Sequence, residues 1–254
     1  MPQTEMTCHS PATEQAPDGA TRIALIGSPN GGKTSIFNQL TGLHAKTGNY
    51  PGVTVSRSEG VARIHDHTFA IEDLPGTYSL SPISPDEQVV VDVLDGRMDQ
   101  VSAPDALVVV ADATALRRSL LLLAEVLPRH LPTAVVVTMT DELRRRQGSL
   151  DVTALSQALG VPVVAVVANR GIGIGELRNL LTTWHDWDRP PLDPPGRSSE
   201  LAGWVDSVLD TAGYEDPDPD SRTERIDKVL LHPVWGTIVF FAVMFLFFQA
   251  LFRS

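Results

Sequence analysis

Near its start the chain carries Gly27-Ser28-Pro29-Asn30-Gly31-Gly32-Lys33-Thr34, which fits the pattern G-x-x-x-x-G-K-[ST]. It follows the apolar run RIALI (22–26) and opens a segment with helical spacing, the context this pattern needs. Glycines let backbone N–H groups turn inward onto phosphate oxygens, and a helix start adds partial positive charge. Lys33 has the reach for β- and γ-phosphates, and the Thr34 hydroxyl suits Mg²⁺. Asn30, Gly31, Gly32 and Ser35 complete the candidate phosphate contacts.

This loop alone does not separate ATP from GTP. Asp73-Leu74-Pro75-Gly76 follows the run TFAIE, giving D-x-x-G 40 residues after Lys33. Asp73 can hold Mg²⁺ through water, and the Gly76 N–H can meet a γ-phosphate. Between them, Asn49-Tyr50-Pro51-Gly52-Val53-Thr54 supplies Thr54 as a second Mg²⁺ ligand in a loop that orders around a γ-phosphate. Lys33, Thr54 and Gly76 are therefore the candidate catalytic residues. After TAVVVT (133–138) comes Thr138-Met139-Thr140-Asp141, where small GTPases usually show N-K-x-D. Asp141 can accept hydrogen bonds from guanine N1–H and the 2-amino group, and adenine would leave it unpaired. Val167 and Ala168 form the last nucleotide loop, where the Ala168 N–H can meet guanine O6. Thr77 stands where Ras-type enzymes place a water-orienting Gln, so intrinsic hydrolysis is expected to be slow. Arg57 reads as a surface residue.

Short runs rich in Val, Ile and Ala must position these residues: RIALI, DALVVVAD (105–112), TAVVVT and VPVVAVV (161–167). They alternate with helical spacing at 33–40, 116–127, 152–159 and 175–184. Runs near 57–65 and 68–72 read as a hairpin turning at His65-Asp66-His67. The sum predicts an α/β fold: a Ras-like P-loop domain with a mostly parallel six-stranded sheet and helices on both faces.

The chain has 254 residues, and 20 Lys+Arg against 31 Asp+Glu give a net charge of −11. That acidity excludes a protein that works by coating nucleic acid. One cysteine, Cys8, excludes an intrachain disulfide and any Cys-cluster metal site. Residues 1–20 read as a disordered tail and 21–187 as the nucleotide-binding domain. Within 188–228, a proline-dense run at 189–198 ends the globular unit, and a reduced spacer offers one amphipathic helix at 199–213. Residues 229–254 carry an uncharged stretch, Pro233–Phe252, that at 1.5 Å per residue reaches about 30 Å, the thickness of a hydrocarbon core. Arg222, Arg225 and Lys228 precede it and Arg253 follows, which favours an N-terminal side in the cytoplasm.

GSPNGGKTSIFNQLTG (27–42), TGNYPGVTVSRSEG (47–60), DLPGTYSLSPISPDE (73–87), VVADATALRRSLLL (109–122), LGVPVVAV (159–166) and IDKVLLHPVWG (226–236) together resemble the ferrous iron transport protein B (FeoB) family of bacterial inner membranes. The resemblance implies a cytoplasmic GTPase domain binding GTP/GDP with Mg²⁺, a helical spacer and a multi-span permease region that moves Fe²⁺. It also implies small cytoplasmic partner proteins of the same uptake system, and a K⁺ ion near Asn30 that stimulates hydrolysis. Thr138 and Val167 stand where the family has Asn and Ser. The chain reads as the front part of such a transporter, through its first, truncated membrane helix. Two other readings stay open: a tail-anchored signalling GTPase unconnected with iron, and a nucleotide-binding protein without turnover.

Overall fold

The computed structural model describes residues 17, 19–42, 45–187, 190, 193–219, 231–232 and 234–252. Cys8, nearly all of the expected tail, and the basic residues Arg222, Arg225, Lys228 and Arg253 lie outside them.

The strands are β1 (Thr21–Gly27), β2 (Ala45–Asn49), β3 (Ser56–Ile64), β4 (His67–Asp73), β5 (Ala106–Asp112), β6 (Thr133–Thr138) and β7 (Val163–Ala165). They form one sheet in the order β2-β3-β4-β1-β5-β6-β7. The five strands from β4 to β7 run parallel, and β2 and β3 join antiparallel at one edge. Among the described residues the sheet thus has seven strands, where the sequence predicts six. The added strand, AKTGN, has no apolar alternation, because it pairs with β3 at the rim and takes no part in the core.

The described helices are α1 (Lys33–Thr41), α2 (Pro85–Leu94), α3 (Leu116–Val126), α4 (Thr140–Arg145), α5 (Val152–Leu159), α6 (Ile174–Thr182), α7 (Ser198–Thr211) and α8 (Trp235–Phe252). Successive strand residues point to opposite faces and build two cores. Ile23, Leu25, Val108 and Val110 pack with Ile36 and Phe37 of α1 and Leu177 of α6. Ala24, Ile26, Leu107 and Val109 pack with α2, α3 and α5. Between these layers β1 emerges with β4 and β5 on either side, and the connections leaving their carboxyl ends make the crevice where ligands bind in such sheets.

α7 lies beyond the proline-dense run, yet it is part of the same body. Val205, Val208, Leu209 and Ala212 are buried against Leu116 and Leu120 of α3 and Leu155 of α5. The chain after it turns back along the end of α4: Tyr214 Oη donates to the Ala113 carbonyl at 3.0 Å, and Ser149 and Glu215 exchange backbone hydrogen bonds at 3.3 and 3.0 Å.

α8 has 18 residues, about 27 Å at the helical rise, shorter than the twenty-residue span expected from the sequence. Among the described residues, no helix is long and apolar enough to cross a membrane. The described side chains of α8, including Phe240, Phe241, Phe245 and Phe247, are nonetheless mostly exposed.

Candidate nucleotide-binding site

The loop between β1 and α1 is shaped by left-handed backbone at Asn30 (φ 63°) and Gly32 (φ 89°). The Gly31 N–H closes a turn onto the Ser28 carbonyl at 3.2 Å, and Ile36 N–H to the Gly32 carbonyl at 3.1 Å starts the helix. Thr138 holds this loop from the end of β6: its hydroxyl lies 2.7 Å from the Gly31 carbonyl and 3.3 Å from that of Ala111. Its side chain therefore braces the loop, although Thr138 also borders the cavity described below. Asn30 is exposed.

Lys33, Thr34 and Asp73 come together in the structure. Thr34 Oγ1 donates to Asp73 Oδ2 at 2.8 Å. Lys33 is buried; desolvation lowers its pKa, opposed by the charge of Asp73. Burial raises the pKa of Asp73, opposed by Lys33 and by the Thr34 hydroxyl. Asp73 Oδ1 is buried with no hydrogen-bond partner. An orphaned carboxylate oxygen beside a threonine hydroxyl is a hard oxygen donor set, and it fits Mg²⁺ bound with its waters.

Gly76 packs against the phosphate loop. A Cβ there would lie 2.9 Å from the backbone N and Cα of Pro29, so only glycine lets the two segments touch. The Thr77 N–H donates to the Gly27 carbonyl at 3.1 Å, and its buried hydroxyl bonds Ser79. Thr77 is thus turned into the fold and cannot orient a water.

Beside the loop lies a cavity of about 310 Å³ bordered by Gly32, Ser35, Met139, Asp141, Val167 and Ala168, within the size range of small-ligand sites. Met139 takes the left-handed conformation (φ 57°) and caps α4, which sets Asp141 in the first helical turn. Ala168 opens a single 3-10 turn at 168–170, and its carbonyl is tied by Gln39 Nε2 at 3.0 Å; its N–H, first in the turn, has no intrahelical partner. Arg170 Nε reaches Asp141 Oδ2 at 3.9 Å, a partner the sequence reading does not include. Arg170 is exposed and Asp141 half-buried, and at this distance the pair contributes little.

Thr54 is not brought to Thr34 and Asp73. It is exposed and lines a separate open pocket with Asn49, Val53 and Pro85. Arg57 is not a surface residue. It donates to Glu72 at 2.8 Å and pairs with Glu59 at 2.9 Å, because a buried carboxylate on β4 requires it. Sequence reasoning misses Glu72, although an acidic residue ending an apolar strand is a readable signal. It misses Glu125 too, which from α3 accepts from Ser79 Oγ at 3.0 Å and fixes the segment after Gly76.

Residues 21–181 match the family model described as ferrous iron transport protein B. The chain is 32% identical over 304 aligned positions to the Fe(2+) transporter FeoB of Leptospira interrogans, covering 91% of this chain and 43% of the relative. The chain thus spans under half the length of that curated relative. Among solved structures, the G domain of the T. maritima FeoB iron transporter superposes with a TM-score of 0.59 at 37% identity, over 66% of this chain and 99% of that one. A point mutant of S. thermophilus NFeoB bound to mGDP superposes at 0.59 with 39% identity, over 66% and 62%.

Proposed function

The chain belongs to the ferrous iron transport protein B family, and from that premise we propose that it is the GTP-hydrolysing switch domain of a bacterial inner-membrane ferrous iron transporter. The observation that carries this reading is the convergence of Lys33, Thr34 and Asp73 beside a cavity that Asp141 borders. The similar S. thermophilus protein binds a guanine nucleotide, which supports the same occupant here.

In this reading the loop N–H groups and Lys33 hold the β- and γ-phosphates. Thr34, Asp73 and Thr54 would hold Mg²⁺, which supplies charge neutralisation on the phosphate oxygens. The Gly76 N–H meets the γ-phosphate, and water displaces GDP to give inorganic phosphate. Asp141 and the Ala168 N–H read guanine. Thr77 offers no base, so the chain's own contribution is positioning and charge stabilisation, and the intrinsic rate is slow. Asn30 is exposed on the phosphate loop, and its amide oxygen is suited to a K⁺ ion that adds positive charge.

The division into a tail, a GTPase domain over 21–187, a spacer and a membrane segment from 229 belongs to this proposal. α8 would be the start of a membrane region that continues into a permease, with the GTPase domain cytoplasmic and small proteins of the uptake system as partners. The apolarity and exposure of α8 support that reading over a nucleotide switch free of the membrane. The alternative of a tail-anchored signalling GTPase is less favoured, because the family match covers the switch segments.

Steady-state hydrolysis by the full chain, GTP against ATP and K⁺ against Na⁺, tests this. Turnover of GTP alone, faster in K⁺, is the expected result. Equal use of ATP removes the Asp141 reading, and equal rates in the two salts remove K⁺ from Asn30.

A further inference from the structure

Thr54 stands at the tip of a loop whose root is held more firmly than a mobile switch requires. The Tyr50 N–H donates to the Val55 carbonyl at 2.9 Å, which closes the loop at its base. Tyr50 and Val55 are buried, whereas Gly52, Val53 and Thr54 are exposed. Tyr50 Oη donates to Glu72 Oε1 at 3.0 Å, and Arg57 Nε donates to the same oxygen at 2.8 Å. Arg22 Nη2 reaches Glu72 Oε2 at 3.3 Å. Arg57 also lies over the Tyr50 ring, 5.8 Å from its centroid, and pairs with Glu59. Two arginines and two glutamates thus balance, with Glu72 only 4% exposed at the centre. Burial and Glu72 push the Tyr50 phenol far up, so it stays a donor throughout the physiological range.

We propose that Glu72 is a positioning residue for the switch threonine, bolting both ends of the loop to β4 through Tyr50 and Arg57 so that only residues 51–54 swing. This rests on the reading of Thr54 as the switch ligand. Removing a donor from a buried carboxylate is strongly unfavourable, so the bolt persists through the nucleotide cycle. The free segment is four residues, which span at most about 14 Å when extended. A fixed root and a short tether keep Thr54 at high effective concentration near the γ-phosphate. The root is also referenced to the magnesium side of the site, since Asp73 is the next residue on β4.

The experiment is a double-mutant cycle on the full chain: Tyr50→Phe, Thr54→Ala and the pair, with GTP turnover, GDP affinity and melting temperature read for each. Tyr50→Phe keeps the ring and removes one hydrogen bond, so turnover at saturating GTP should fall about three- to tenfold. GDP affinity should hold within about twofold, because GDP does not engage Thr54. In the Thr54→Ala background, Tyr50→Phe should have no further effect on turnover. Glu72→Gln should act in the same direction. Unchanged or faster turnover in Tyr50→Phe, parallel loss of GDP affinity, or an equal effect in both backgrounds overturns the inference. If Thr54→Ala itself leaves turnover unchanged, the switch reading and the inference fall together; if Thr54→Ala acts and Tyr50→Phe does not, only the inference falls.

Discussion

Lys33 and Asp73 are opposite charges held out of water within each other's field, and burial is the largest influence on both. Such a pair adds little to the fold, and in the proposed function it is kept for the nucleotide and its metal. The double variant Lys33→Met/Asp73→Asn removes both charges at nearly constant volume. It should match or exceed the parent's stability in nucleotide-free denaturant melts, by about 1–4 kcal/mol, while losing Mg²⁺-dependent GTP binding. A double variant clearly less stable than the parent contradicts this. The sign with pH follows from Asp73, whose carboxyl is raised above its unfolded value. Its cost to stability is absent below the unfolded pKa and is felt as pH rises through the folded one. The advantage of Asp73→Asn over the parent should therefore shrink on acidification from neutral pH. A second residue-scale test is Asp141→Asn. The Asp141 carboxylate borders the cavity beside the β1–α1 loop, and if it reads guanine as proposed, replacing it should move preference from guanine toward xanthine nucleotides in competition binding. An unchanged profile removes Asp141 from base recognition.

Elements are legible where periodicity reports burial, and illegible where another force sets the structure. The two-sided strands RIALI and DALVVVAD form β1 and β5 because their apolar positions are covered on both faces. β2 escapes a sequence reading because its residues, AKTGN, are held by pairing at the rim. α2 escapes it because the β-branched run VVVDVL carries no helical signal of its own. Its true signal is the start, where Ser84 accepts from the Glu87 N–H at 3.3 Å and Pro85 opens the helix. α7 reads as a helix of a reduced spacer, but nothing in its own residues names the surface it covers, since α3 and α5 are distant in sequence. That packing makes predictions. Leu209, on the buried face of α7, is 4% exposed, so Leu209→Ala should cost about 2–5 kcal/mol in a denaturant melt. Gly148 is where the returning chain passes: a Cβ there would lie 2.8 Å from the Glu215 carbonyl oxygen and closer still to Leu143 Cδ1. Gly148→Ala should detach residues 214–218 from the end of α4 and raise their amide hydrogen exchange. Unchanged protection there contradicts the packing argument.

At the scale of the whole molecule, an acidic body is joined in one chain to a helix whose described side chains are mostly exposed. The net charge is −11, yet Phe240, Phe241, Phe245, Leu246 and Phe247 of α8 are each at least 60% exposed. Apolar surface of that size and continuity needs covering by lipid or by protein. On the proposed reading of α8 as a membrane segment, two forces on a bilayer would oppose each other. Anionic lipid would repel the acidic body, while about 25 cal/mol per Å² of apolar surface would draw α8 into hydrocarbon. Because α8 has no charged residue, its attraction is insensitive to salt, whereas the repulsion is screened within about 10 Å at 0.1 M salt. The full chain should therefore float with vesicles of zwitterionic lipid and stay with them through a molar-salt wash. Binding to strongly anionic vesicles should be weaker at low salt and should recover as salt rises. Deleting residues 233–254 should abolish flotation and leave GTP binding intact. Release by high salt, or binding that strengthens with anionic lipid at low salt, shows that charge governs the association and contradicts insertion of α8.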